Sequence, residues 1–291
     1  MTGLLANKVA MITGANQGLG LEIARHYLAE GASLALCARN GDLLQSVCAS
    51  LIKSASGNQR VLGVVADVSK ETDVNHFVNE TIRELDGLDI LVNNAGIYGP
   101  KGEIDVVDWS EWVRSIEINL FGSILTCRAV LPHFKAQHAG KIIQLSGGGA
   151  TNPMPRISGY AVSKAAIVRF VETLAEEVRE YGVDVNAIAP GALNTRMLDE
   201  VIVAGPDKVG KTFYERSLKQ KESGGSPMDF GSRLAVFLGS PKSNGITGKL
   251  ISAVWDRWED WPDHLEDLSN SDVYTLRRIT GRDRGMTWGD K

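Results

Sequence analysis

The chain has 291 residues, which is enough for one large α/β domain with a substantial buried core. Hydrophobic residues make up 43% of it and charged residues 23%, and the net charge of -4 provides no broad attraction for nucleic acid or an anionic membrane. Met1–Asn7 contains neither a basic run nor a long apolar run, and Val9–Thr13 is too short to cross a bilayer. We therefore expect a cytoplasmic protein without nucleic-acid or membrane partners.

Seven short apolar runs recur along the chain, and each is predicted to form a β-strand. They are Val9–Thr13, Ser33–Ala38, Val61–Ala66, Leu88–Asn93, Lys141–Ser146, Val183–Ala189 and Lys249–Val254. The segments between them, such as Leu19–Glu30, carry the apolar spacing of a helix packed on a sheet. This alternation predicts an α/β fold, a single-domain Rossmann-type doubly wound parallel sheet with helices on both faces over residues 1–254. Residues 255–291 would form a C-terminal extension.

The first predicted strand leads directly into a glycine-rich loop, Thr13–Gly20. Glycines let the backbone adopt positive φ and approach a ligand, and the N-terminus of a following helix presents N–H groups and a positive dipole end to phosphate. Such a loop also occurs as a plain tight turn, but its place between the first strand and the first helix favours dinucleotide binding. The predicted contacts are Gly14, Asn16, Gln17, Gly18, Leu19 and Gly20.

Arg39 follows the second strand, where an acidic residue would bind the adenosine ribose diol of NAD. An arginine there can pair with the 2′-phosphate of NADP, so NADP is the preferred cofactor and NAD the alternative. The other interpretation of Arg39 is a solvated side chain at a strand end. Asp67, at the end of the third strand, can accept a hydrogen bond from the adenine amino group or cap the next helix. Val68, which follows it, is also predicted to contact the cofactor.

The fourth strand ends in Asn93-Asn94-Ala95-Gly96. We expect Asn93, Ala95 and Gly96 to lie beside the cofactor, and an amide of this segment to tie neighbouring strands together, because ligands bind at the carboxyl ends of strands in open α/β sheets.

The cysteines of the chain are Cys37, Cys48 and Cys127. They are widely spaced within apolar patterns and show no metal-type pairing, so we predict three buried small side chains and no metal site.

Tyr160 and Lys164 lie one turn apart on a predicted helix. Lowering the pKa of a phenol from about 10 to near neutrality takes roughly 4 kcal/mol. A lysine ammonium one turn away, together with the positive nicotinamide of an oxidised cofactor, is a source of that stabilisation. The pair alone is a weak signal, since tyrosine and lysine fall four residues apart on many helices by chance.

The combination of motifs is far more specific. The glycine loop, Asp67, Asn93–Gly96, Asn119, Ser146, Tyr160 with Lys164, and the Pro190-Gly191 to Thr195 segment occur in this order at suitable intervals. The set resembles the short-chain dehydrogenase/reductase family up to about Ile251. The resemblance implies an NAD(P)-dependent oxidoreductase that interconverts a carbonyl and a secondary alcohol.

The resemblance also implies a role for each matching residue. Tyr160 would be the general acid/base, Lys164 would lower its pKa and hold the nicotinamide ribose, and Asn119 would keep a water behind Lys164. Ser146 would bind the substrate oxygen. Pro190, Gly191 and Thr195 would contact the nicotinamide and the diphosphate.

One departure from the family pattern concerns the serine, because the family places it one residue nearer to the tyrosine, where this chain has Gly147. Either the Gly147–Gly149 loop carries an extra residue and Ser146 keeps its role, which we favour, or the role is weakened or moved. Ser146 can also be a strand-end hydroxyl that bonds local backbone.

Two segments fall outside these motifs. Residues 196–230 mix Gly, Pro, Lys and aromatic residues, as expected of a mobile segment that covers the substrate. In the extension, Arg277, Arg278 or Arg282 would meet an anionic substrate such as a nucleotide-linked sugar, in the same or a neighbouring subunit. The alternative is that Trp255, Trp258 and Trp261 pack on the subunit while the arginines are solvated.

The resemblance further implies a homodimer or homotetramer, with the helices around Trp112–His133 and Tyr160–Tyr181 packing on their copies. Small and apolar residues of the second helix suit either this interface or packing on the sheet: Ala161, Ala165, Ile167, Val168 and Val171. The alternative function is a catalytically weak cofactor-binding sensor or scaffold of the same fold. Asn119, Tyr160 and Lys164 argue against it, and only the shifted serine supports it.

Overall fold

The computed structural model describes residues 3–288, and its centre is one parallel sheet of seven strands in the order β3-β2-β1-β4-β5-β6-β7. The strands are β1 (Val9–Thr13), β2 (Ser33–Ala38), β3 (Val61–Val65), β4 (Ile90–Asn93), β5 (Gly140–Leu145), β6 (Val183–Ala189) and β7 (Leu250–Ser252). All seven predicted strands are therefore confirmed, and β1, β2 and β6 match at both ends.

Helices connect these strands. They are α1 (Gly18–Ala29), α2 (Gly41–Ser54), α3 (Glu71–Leu85), α4 (Trp109–Ile116), α5 (Gly122–Gln137), α6 (Ser158–Val178), α7 (Arg196–Val209), α8 (Lys211–Ser223), α9 (Met228–Gly239) and α10 (Leu265–Asn270). A π-helical turn, Glu117–Phe121, joins α4 to α5. Among the described residues, no helix is both long enough and apolar enough to span a bilayer.

The core has two halves because successive residues of a strand point to opposite faces of the sheet. In β1, Ala10 and Ile12 pack on one face with α1, α2 and α9, whereas Val9 and Met11 pack on the other with α3, α5 and α6. The three cysteines are buried, as predicted. Helices thus cover both faces, and the doubly wound fold is confirmed.

The strand order reverses at β1, which pairs with β2 on one side and β4 on the other. Ligands bind in such sheets at the carboxyl ends of the strands beside the reversal. Asn94 closes this edge, since its Nδ2 donates to the carbonyl oxygens of Thr13 and Gly14, both at 3.0 Å. The predicted amide link between neighbouring strands is therefore present.

Residues 196–230 fold into α7, α8 and the start of α9. Gly205 has a φ of +77° and interrupts α7 just before Pro206. The segment that we expected to be a mobile cover therefore has helical structure.

The C-terminal extension packs on the domain that precedes it. Trp258 and Trp261 are buried. The ring centres of Trp258 and Phe237 are 5.1 Å apart, and those of Trp261 and Tyr274 are 4.4 Å apart. The outer edge of β7 is also covered, because the Leu250 N–H donates to the Tyr274 carbonyl oxygen at 2.8 Å. The last three residues of the predicted extension lie outside the described part of the chain.

The apolar residues of α6 divide between two environments. Ile167, Val168 and Val171 are buried against the sheet of their own subunit and so give no support to an interface. Two of the exposed apolar side chains are Phe121, which directly precedes α5 and is 51% exposed, and Val162 in α6, which is 50% exposed.

Candidate active site

A cavity of about 830 Å³ runs along the carboxyl edge of the sheet. Most of the predicted site residues line it: Gly14, Asn16, Gln17, Gly18, Leu19, Arg39, Asp67, Val68, Ala95, Gly96, Ser146, Tyr160, Lys164, Pro190, Gly191 and Thr195. Residues far apart in the sequence meet here because the carboxyl ends of parallel strands lie at one edge.

Three predicted residues do not line this cavity. Gly20 packs against the glycine loop and the Asn94 side chain, since an added Cβ would lie 2.7 Å from the Gly14 carbonyl oxygen. Asn93 is buried, and its Oδ1 accepts a hydrogen bond from Thr126 Oγ1 at 2.7 Å, so it ties β4 to α5. Both residues therefore support the site from behind rather than contacting a ligand. Asn119 is the third.

The glycine loop has the geometry of a phosphate cradle. Gly14 has a φ of +62°, and an added Cβ would lie 2.9 Å from the Ala95 Cα, so only glycine fits there. Gly18 has a φ of +57° and is the first residue of α1, so the end of α1 that carries unpaired N–H groups lies at the cavity wall. These residues fit the diphosphate of a dinucleotide.

Arg39 lies in the cavity wall directly after β2. The next residue, Asn40, caps α2 by accepting a hydrogen bond from the Leu43 N–H at 3.0 Å. The backbone at Arg39 is thus fixed between a strand end and a helix cap, while its side chain is exposed at the end where the adenosine of a dinucleotide would lie.

Asp67 already has partners inside the protein. Its Oδ1 accepts from Ser69 Oγ at 2.7 Å and from the Ser69 N–H at 3.1 Å, and its Oδ2 accepts from Arg114 at 2.5 Å. Burial acts to raise the pKa of Asp67, but these hydrogen bonds outweigh it and the pKa is lowered. Asp67 therefore forms a turn before α3 instead of capping it, since the N-cap residue is Lys70.

Asn119 is buried in the π-helical turn and clamps a neighbouring loop. Its Nδ2 donates to the Ile97 carbonyl oxygen at 2.8 Å, and its Oδ1 accepts from the Ile97 N–H at 2.8 Å. The same Nδ2 lies 3.1 Å from Ser163 Oγ, one residue before Lys164. Asn119 thus links α6 to the loop after β4.

Tyr160 and Lys164 lie on the first turns of α6 and face the cavity. Lys164 Nζ lies 5.6 Å from the centre of the Tyr160 ring and donates to the Leu145 carbonyl oxygen at 2.7 Å. Burial lowers the pKa of Lys164 from its usual 10.5 to about 8. Burial, and then the neighbouring Tyr98, raise the pKa of Tyr160 above that of a free phenol, so the lowering of this pKa that we expected from Lys164 is not present in this structure. The Tyr160 hydroxyl is therefore protonated at neutral pH and is equipped to donate a proton.

Ser146 and Gly147 occupy different positions around this pair. The Ser146 hydroxyl donates to the Lys164 backbone carbonyl oxygen at 3.5 Å. At Gly147, an added Cβ would lie 2.5 Å from Tyr160 Oη, so Gly147 is the residue that faces the phenol. The proposed role of Ser146 on the substrate oxygen stays a prediction.

Several cavity residues were not predicted from the sequence. They include Tyr98, Thr151, Asn152, Met154, Phe213, Arg216 and Trp255. They come from loops and from α8, where neither periodicity nor a recurrent motif marks a residue as facing a ligand. Their one signal is position, because each follows a strand end or lies in the segment that the sequence set apart as a cover.

The chain matches the family model described as short chain dehydrogenase over residues 8–203. It belongs to the short-chain dehydrogenase/reductase family. Members are NAD(P)-dependent oxidoreductases that act on alcohol and carbonyl groups, and this chain is an enzyme of that kind.

Two curated relatives illustrate the match of this short-chain dehydrogenase/reductase. It is 37% identical over 193 residues to an 11-beta-hydroxysteroid dehydrogenase-like protein 3 of Arabidopsis thaliana, a match that covers 66% of this chain and only 61% of the plant protein. It is 35% identical over 248 residues to 3beta-hydroxysteroid dehydrogenase 1 of Eggerthella lenta, covering 85% of this chain and 92% of that one.

Solved structures of the family superimpose on the same fold. A xylitol dehydrogenase with bound NAD+ has a TM-score of 0.77 and 26% identity, covering 85% of this chain and 98% of the other. A gluconate 5-dehydrogenase of Burkholderia cenocepacia in complex with NADP and tartrate has a TM-score of 0.75 and 26% identity, covering 85% and 94%. Neighbours of this fold thus bind either dinucleotide.

Proposed function

We propose that this short-chain dehydrogenase/reductase reduces the carbonyl group of a small molecule, or oxidises the corresponding secondary alcohol, with Tyr160 as the general acid/base. The observation that carries the proposal is the Tyr160 phenol, held at the cavity wall beside the buried ammonium group of Lys164. The glycine loop, which lines the same cavity, would bind the diphosphate of the dinucleotide.

Reduction divides between the cofactor and the protein. When bound, the reduced dinucleotide supplies the hydride, and with it both electrons, to the carbonyl carbon. Tyr160 gives its hydroxyl proton to the carbonyl oxygen, so the product is a neutral alcohol and the phenolate is reprotonated from water. The Lys164 ammonium stabilises that phenolate, because an opposite charge nearby favours the ionised form. Oxidation of an alcohol is the same sequence in reverse.

NADP is the preferred cofactor in this proposal. Arg39 lies in the cavity wall after β2, where its guanidinium can pair with a 2′-phosphate. NAD remains the alternative, since an exposed arginine does not itself prevent binding of the unphosphorylated dinucleotide.

The substrate part of the cavity lies between β5, β6 and the helices α7 and α8, so we propose that residues 196–230 cover the substrate. Met154, Phe213 and Trp255 offer an apolar surface there. An anionic or sugar-linked substrate would meet Arg216, which lines the cavity. The tail arginines are placed differently: in the described part of the extension only Trp255 and Asp256 line this cavity, and Arg277 pairs with Asp272 and Asp283.

Two further expectations remain proposals. The exposed Phe121 and Val162, on the side of α5 and α6, are suited to a homodimer or homotetramer interface. We also propose that the protein is located in the cytoplasm.

The test is loss of NADPH absorbance with a panel of ketones, measured for the wild type and Tyr160→Phe. We expect turnover by the wild type and a loss of at least about 100-fold in the variant, because general acid catalysis contributes about that much. Dinucleotide fluorescence should show unchanged NADPH binding. NADPH binding by a wild-type protein that turns over no ketone or alcohol would overturn the proposal in favour of the sensor or scaffold.

A further inference from the structure

A second tyrosine lies beside Tyr160 in the cavity. The rings of Tyr98 and Tyr160 meet edge to face, with their centres 4.8 Å apart. Both side chains line the same cavity. Tyr98 is half-buried, yet among the described residues no hydrogen bond uses its hydroxyl. A phenol in this position is available to a ligand.

The protein holds the Tyr98 ring in place through its neighbours. Asn119 binds both backbone groups of Ile97, so the residue directly before Tyr98 is fixed by two hydrogen bonds of 2.8 Å. On another side, Lys101 Nζ lies 5.8 Å from the centre of the Tyr98 ring and pairs with Glu200 at 3.5 Å. These contacts restrain the backbone and the ring and leave the hydroxyl unused.

The place opposite the Tyr160 hydroxyl has no side chain. Gly147 is there, and even a Cβ would come within 2.5 Å of Tyr160 Oη. Ser146, one residue earlier, directs its hydroxyl to the backbone of Lys164. A substrate oxygen next to Tyr160 therefore lacks a serine donor from the Gly147 position.

We propose that Tyr98 is a second catalytic residue, whose hydroxyl donates a hydrogen bond to the substrate oxygen while Tyr160 transfers the proton. This inference rests on the proposed function. The Tyr98 hydroxyl keeps its own proton throughout: the hydride comes from the reduced dinucleotide, the transferred proton comes from Tyr160, and Tyr98 stabilises the negative charge that grows on the oxygen between the two events.

The experiment compares Tyr98→Phe, which keeps the ring against Tyr160 and removes only the hydroxyl, with Tyr98→Leu, which removes both. Tyr181→Phe is the matched control, because Tyr181 lies in the short helical turn after α6 and does not line the cavity. For each variant, kcat and KM for a ketone are measured at saturating NADPH, and the Kd for NADPH is measured by fluorescence.

We expect Tyr98→Phe to lower kcat about 100-fold, the usual effect of removing one donor from a developing oxyanion, with the Kd for NADPH within twofold of wild type. Tyr98→Leu should be no more active, and Tyr181→Phe should match the wild type. A Tyr98→Phe enzyme with a kcat within twofold of wild type would overturn the inference, as would a larger loss in Ser146→Ala than in Tyr98→Phe. If one of these two results is found and Tyr160→Phe is still inactive, the proposed role of Tyr98 is wrong and the proposed function stands. A wild type without turnover contradicts the proposed function as well.

Discussion

Lys164→Met should make the protein more stable while removing its activity. Burial lowers the pKa of Lys164 from 10.5 to about 8, a difference that corresponds to about 3 kcal/mol of unfavourable free energy for holding the charged amine in the folded protein at pH 7. Methionine has a similar length and no charge. Losing the charged hydrogen bond to the Leu145 carbonyl oxygen costs about 2 kcal/mol, so the net gain is about 1 kcal/mol.

The gain should depend on pH in a defined direction. Below pH 8, Lys164 is protonated in both the folded and the unfolded protein, and the full penalty applies. Between pH 8 and 10.5 the folded protein binds fewer protons than the unfolded one, so the free energy of unfolding of the wild type rises with pH relative to that of the variant. Above pH 10.5 the penalty is gone.

The assay is urea unfolding of both proteins at pH 7 and pH 9.5, without cofactor. Lys242→Met serves as the control, because Lys242 is exposed. Lys164→Met should be more stable than the wild type at pH 7, with a smaller advantage at pH 9.5, and it should reduce no ketone at either pH. Lys242→Met should show neither change. If Lys164→Met were less stable than the wild type at pH 7, or if its advantage grew with pH, burial of the charged Lys164 amine would not be destabilising the wild type.

Three further changes follow from the contacts described above. Arg39→Ala should weaken NADPH binding about tenfold, equivalent to about 1.4 kcal/mol, and leave NADH binding unchanged in fluorescence titrations; equal effects on both dinucleotides would remove Arg39 from the 2′-phosphate site. Trp258→Ala should lower the free energy of unfolding by about 3–5 kcal/mol, because Trp258 is buried against Phe237, whereas Trp255→Ala should barely change it, because Trp255 is 85% exposed; similar urea midpoints for the two variants would contradict the packing of the extension. Asn119→Ala, which releases Ile97, should lower kcat more than it changes NADPH affinity; a rate equal to wild type in steady-state assays would show that the clamp is dispensable.

Much of the fold follows from local patterns. The strands β1, β2 and β6 are short apolar runs between amphipathic segments, and burial on both faces of a parallel sheet requires that composition. The glycine loop is similarly predictable, since Gly14 and Gly18 adopt the positive φ that only glycine takes without strain.

The rest of the site depends on tertiary contacts that no local pattern encodes. Asn93 and Gly20 belong to the right segments, but Asn93 points to α5 and Gly20 packs against Asn94 and the glycine loop, so neither lines the cavity. Tyr98 lies in a loop whose backbone is set by Asn119, a residue 21 positions later in the chain. Nothing in the sequence around Tyr98 indicates that its ring meets Tyr160.

The extension shows the same limit. Its tryptophans and arginines suited either a lid over the site or packing on the subunit, and composition does not distinguish the two. Trp258 and Trp261 are buried and Leu250 bonds to Tyr274, so this part of the extension packs on its own subunit. Trp255 does not pack in this way, because it is exposed and lines the cavity.

The role of Tyr160 is best examined in a crystal structure of the ternary complex with oxidised dinucleotide and a product alcohol. We expect Tyr160 Oη to lie about 2.6–3.2 Å from the alcohol oxygen, with the carbinol carbon facing the nicotinamide ring. An alcohol bound beyond hydrogen-bonding reach of that phenol would contradict it.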